Sequence, residues 1–207
     1  YSGTAVFYLK DLNGKDGFRL DGASSKNESG HSVAGAGDLN KDGYDDVIVG
    51  AWKADGEAGE SYVVFGKRSW SRYMRLSSLN GKTGFTLSGE SSDDRSGISV
   101  GSAGDVDGDG YDDVIIGASH HDASSSKTNT GAAYVFLGKK SGYKSSVKLK
   151  DLNGSNGFTF SGIDADDYTG WSVATAGDLD GDGLDDMVIG SPNHDANGNS
   201  NSGQAYA

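Results

Sequence analysis

Three stretches of this chain are variants of one pattern: GDLNKDGYDDVIVGA from Gly37, GDVDGDGYDDVIIGA from Gly104 and GDLDGDGLDDMVIGS from Gly177. In each, a crowded acidic turn runs straight into an apolar segment. The turns open at Asp38, Asp105 and Asp178, 67 and 73 residues apart. Other landmarks keep the same order around them. GHSVAGAGD, GISVGSAGD and GWSVATAGD lead in from Gly30, Gly97 and Gly170. GESYVVFGK and GAAYVFLGK follow from Gly59 and Gly131, with a shortened SGQAYA at the C-terminus, and GFRLDG, GFTLSG and GFTFSG start at Gly17, Gly84 and Gly157. Short β-branched and aromatic runs between Gly-rich turns read as four strands per unit. Such a unit cannot bury both faces alone and must stack on copies of itself, which predicts an all-β chain of four-stranded antiparallel propeller blades.

The expected units are a partial blade over 1–29 (third and fourth strands), blades over 30–96 and 97–169, and a partial blade over 170–207. Their acidic loops span 38–46, 105–113 and 178–186. The segment after each loop is apolar on consecutive residues, so it should be covered on both faces. No segment has a helical period. About three blades fall short of the four to eight that close a ring, so an open arc would leave two apolar faces uncovered. With Tyr1 in place of an initiator Met, a fragment whose further blades lie elsewhere is the expectation, with self-association as the competing one.

The net charge of −12 argues against nucleic acid and anionic membrane as partners, since both call for a basic face. No apolar run approaches the roughly 20 residues that span a bilayer. There is no Cys, hence no disulfide or thiolate metal site.

Within the second loop Asp105, Asp107, Asp109 and Asp113 take positions one, three, five and nine, with Gly110 at the sharp turn and the Tyr111 carbonyl at position seven. Hard oxygen donors converging so densely suit Ca²⁺, which accepts six to eight of them. The first loop offers Asp38, Asn40, Asp42, the Tyr44 carbonyl and Asp46; the third offers Asp178, Asp180, Asp182, the Leu184 carbonyl and Asp186. Three Ca²⁺ sites are therefore expected, the first weakest because Asn40 is uncharged. An EF-hand fails, because position twelve is Val49, Ile116 or Ile189 rather than Glu, and no helices flank the loop. An Asp-Gly hairpin without metal is the plainer alternative, weakened by three matching copies.

The combination of GFTLSG, GISVGSAGD, DVDGDGYDD and VIIGA resembles the FG-GAP repeat of integrin α-subunit propellers and their bacterial relatives. The resemblance covers nearly the whole chain. It implies a seven-bladed propeller with Ca²⁺ in the hairpin between the first and second strands of a blade. It also implies a mainly structural metal on one face, and a protein or glycan ligand on the other. Holding about three blades and no Cys, the chain departs toward a bacterial-type or other non-animal member, extracellular or at the cell surface.

The loops that would emerge opposite the metal hairpins are WKADGEAG, SHHDASSSKTNTG and PNHDANGNSNSG, with ASSKNES, ESSDDRS and IDADDYT. They vary while the strands hold constant, as expected where function is carried by loops. His120 and the pairs His121–Asp122 and His194–Asp195 are expected to be solvated loop residues rather than a site. Trp171, which shares its position with Ile98 and His31, is expected to pack, as are Tyr62, Tyr134 and Tyr206. Asn27 and Asn153 open glycosylation sequons. No catalytic set recurs. The reading is a non-catalytic, Ca²⁺-stabilised module for adhesion, recognition or assembly. The alternatives are the propeller portion of a secreted hydrolase, lyase or phospholipase, or a subunit of an extracellular filament or surface layer.

Overall fold

The computed structural model describes residues 8–207. Most of the strand expected over SGTAVFYLK lies outside them, and its last residues enter a 3₁₀ turn, Leu9–Asp11. The described strands are β1 (Arg19–Asp21), β2 (Ser32–Gly37), β3 (Asp46–Ala51), β4 (Glu60–Val64), β5 (Tyr73–Arg75), β6 (Gly84–Ser88) and β7 (Ser96–Gly104). They continue with β8 (Asp113–Ala118), β9 (Ala132–Phe136), β10 (Ser146–Lys148), β11 (Gly157–Ser161), β12 (Ser172–Gly177), β13 (Asp186–Ser191) and β14 (Gln204–Tyr206).

Antiparallel sheets run β2-β3-β4-β6, β7-β8-β9-β11 and β12-β13-β14, so the fold is a succession of propeller blades. One feature departs from four strands per blade. β10 adds to β6 in parallel, and β5 adds in parallel to β1, so the connection before each fourth strand reaches back to the preceding blade's outer edge. Leu76 and Leu149, just beyond these short strands, are buried there.

The consecutive apolar residues of the second strands are explained by the stacking. In β8, Val114 and Ile116 face the first blade's Ile48, Val63 and Phe85, while Ile115 faces Ile189, Val173 and Met187 of the third. Each such side chain taken from water is worth about 1.5–3 kcal/mol. Alternation along β9 does the same, with Tyr134 and Phe136 on one face and Ala133 and Val135 on the other. Tyr62 and Tyr134 are core residues as expected, whereas Tyr206 on the last strand is half-buried.

Backbones meet where side chains cannot. A Cβ on Gly50 would stand 2.1 Å from the Gly97 carbonyl oxygen, and one on Gly117 would stand 1.9 Å from that of Gly170. The penultimate glycines of β3 and β8 thus let the start of the next blade close in.

Candidate metal centre

Each acidic loop is the hairpin between a blade's first two strands. A register shift precedes it in all three blades, at Gly35/Gly37, Ser102/Gly104 and Thr175/Gly177. Such a bulge re-aims the strand end. Gly37, Gly104 and Gly177 there take φ of 69°, 76° and 66°, a left-handed conformation that favours glycine.

The loops are closed by their own carboxylates. Asp38 Oδ2 accepts from the Gly43 N–H at 2.8 Å, Asp105 Oδ2 from Gly110 at 2.8 Å and Asp178 Oδ2 from Gly183 at 3.1 Å. At position five, Asp42, Asp109 and Asp182 accept from the N–H two residues on. At position nine, Asp46 accepts from Leu39 and Gly66, Asp113 from Val106 and Gly138, and Asp186 from Leu179. Burial pushes the carboxyls of Asp46 and Asp113 up to about 7, against the backbone donors that favour the charged form. A cation beside them would reverse that balance.

Asp105, Asp107 and Asp113 each offer an oxygen within 4.8 Å of the others, and so do Asp178, Asp180 and Asp186. Asp109 and Asp182 stand outside these two groups, and the first loop, with Asn40 in place of an acid, forms no such all-acid group. The donor sets nevertheless fit a hard cation. Asp105 Oδ1 and Asn40 Oδ1 are buried with no hydrogen-bond partner, an expensive state for a polar oxygen unless an ion completes it. These are clusters that could hold a metal.

Sequence reasoning missed the aspartate at position eight. Asp112 Oδ2 accepts the Asp38 N–H of the previous blade's loop at 2.7 Å, and Asp185 Oδ2 accepts that of Asp105 at 3.0 Å. The doubled Asp-Asp was its signal: the first carboxylate serves the neighbouring loop and the second its own.

The opposite ends of the strands correct two expectations. His121 and His194 are not solvated: their Nδ1 atoms lie 3.2 Å from Asp94 Oδ2 and 2.9 Å from Asp167 Oδ2, and both carboxylates are buried. The adjacent Asp122 and Asp195 instead accept loop N–H groups from Asn129 and Asn201. Asp164 also gathers beside Asp167 and His194, but Ser91 holds its place in the second blade, with the same backbone bond to the buried aspartate. Trp171 is 50% exposed rather than packed, because its ring stands edge-on to Tyr168 at the mouth of a cleft between blades. Arg95, His120, Tyr168, Trp171, Pro192 and Asn193 line that cleft, about 550 Å³ in volume. Burial and Arg95 lower the pKa of His120, which suits the 3.0 Å contact of its Nε2 with the guanidinium.

The FG-GAP repeat model matches residues 29–64, 96–136 and 169–207. The chain belongs to the FG-GAP repeat family. Among FG-GAP relatives, integrin alpha-5 of Xenopus laevis is 31% identical over 196 residues, covering 88% of this chain and 17% of the relative. Human integrin alpha-6 is 28% identical over 200 residues, covering 92% and 15%. Phosphatidylinositol-glycan-specific phospholipase D of Bos taurus is 34% identical over 159 residues, covering 75% and 18%. The chain therefore spans less than a fifth of the length of these relatives.

Proposed function

We propose that the chain is a Ca²⁺-binding FG-GAP propeller module of an extracellular or cell-surface protein, acting in adhesion, recognition or assembly. The single observation that carries the metal reading is the pair of buried, unpartnered oxygens, Asp105 Oδ1 and Asn40 Oδ1, inside repeated acidic hairpins. The proposed ligands are those of the three loops, at positions one, three, five, seven and nine. The ions' role is structural: they neutralise carboxylates at the seams between blades, in units bounded at 29/30, 96/97 and 169/170. The partner face is the opposite one, where the cleft presents the exposed Trp171 ring beside the half-buried Tyr168 to a protein or glycan.

Two apolar surfaces are consistent with further blades or a second copy. One is a groove lined by Phe18 and Leu20 of the N-terminal partial blade and Val33 and Val47 of the first blade, the other lies along Phe160 of the second blade and Ile189 and Tyr206 of the third. Membership of a phospholipase among the relatives supports a second reading, in which the propeller belongs to a secreted enzyme. Calorimetric titration with CaCl₂ tests the metal reading: three ions per chain are expected, and no binding refutes it. Binding of labelled protein to arrayed glycans and matrix proteins tests the partner face. Trp171→Ala should abolish a signal there, and a signal that survives it places the partner elsewhere.

A further inference from the structure

The position-eight aspartates occur where a metal loop has no use for them. Position nine turns its carboxylate toward its own loop, and the residue before it points away. Asp112 points at the first blade's loop, with Oδ2 2.7 Å from the Asp38 nitrogen, and Asp185 does the same to Asp105 at 3.0 Å. The sequence keeps room for this. A Cβ on Gly37 or Gly104 would come within 2.4 Å of the Asp112 or Asp185 side chain. Two further bonds cross the same seam, from the Lys139 N–H and the Tyr143 hydroxyl to the Leu39 carbonyl at 2.9 and 2.7 Å.

We propose that neighbouring metal loops are thermodynamically coupled, Asp112 and Asp185 acting as positioning residues for the first ligand of the loop before their own. The inference rests on the Ca²⁺ reading above. Asp112 lies between Tyr111 and Asp113, both in the second loop's proposed ligand set, so ordering that loop fixes the carboxylate that holds Asp38. Filling the second loop strengthens binding at the first, and by linkage the first strengthens the second equally. The same device joins the third loop to the second through Asp185.

The test is a site-resolved CaCl₂ titration by NMR, following the amide signals of Gly43, Gly110 and Gly183, each bonded to the first aspartate of its own loop. Asp112→Ala should move the Gly43 transition to about tenfold higher Ca²⁺, the scale of one lost charge-assisted hydrogen bond, and leave Gly183 in place. Asp112→Asn, which keeps an acceptor oxygen, should restore most of that loss. Asp185→Ala should shift Gly110 in the same sense, an independent copy of the test. Emptying the second loop with Asp107→Ala should also weaken the first. An unmoved Gly43 transition in Asp112→Ala, or an equal shift of all three glycines, overturns the coupling while the Ca²⁺ reading stands. If no glycine responds in the unsubstituted protein, the Ca²⁺ reading itself falls.

Discussion

Asp94 and Asp167 each hold a histidine 27 residues ahead in sequence. In the first repeat Asn27 stands at the aspartate's position and Ala54 at the histidine's, so the two partners change together. That is the expected behaviour of a buried pair, since one ionised partner alone is strongly destabilising. The Asp94 carboxylate raises the pKa of His121 in the folded state. A raised histidine stabilises fully below its unfolded value of about 6.5 and loses that contribution as pH climbs through the folded value. Asp94→Asn should therefore lower the melting temperature more at about pH 6 than at about pH 9; an equal loss at both would contradict the pairing. At the first acidic loop, Asn40→Asp should tighten the proposed Ca²⁺ binding, followed by the Gly43 amide. If the unsubstituted first loop fills before the other two, its expected weakness is wrong. The gathering of carboxylates in the second and third loops was legible because alternate residues of one turn share its interior. The histidine partners were not, because nothing local joins residues so far apart. Trp171 was misjudged because a side chain at the end of an inner strand can face either a neighbouring blade or solvent.

At the scale of the element, the four strands of each blade were written in turn chemistry and apolar runs. β5 and β10 were not, being three residues each and held by the edge of another blade rather than by their own pattern. The seam between blades depends on bare backbone at Gly50 and Gly117. Gly117→Ala should cost about 1–3 kcal/mol, the usual price of overpacking, read as a fall in the denaturant midpoint. The equivalent Gly190 has no backbone neighbour so near, its Cβ meeting first the Ser172 hydroxyl at 2.5 Å. Gly190→Ala should therefore cost less; the reverse order would put the close contact in the wrong place.

For the whole molecule, hydrophobic stacking and the proposed cation binding would act on the same seams. The clusters between the first and second and between the second and third blades are apolar, and the acidic hairpins lie at one rim of each. A surplus of −12 opposes such crowding unless cations are present. Thermal unfolding of the full chain in excess Ca²⁺ and in chelator measures this most directly. A ligand that binds only the native state stabilises by about 2.7 kcal/mol per site at a hundredfold excess over Kd, so a rise of several degrees is expected. Asp105→Ala combined with Asp107→Ala should reduce that rise. Superimposable melting curves with and without Ca²⁺ would contradict the account.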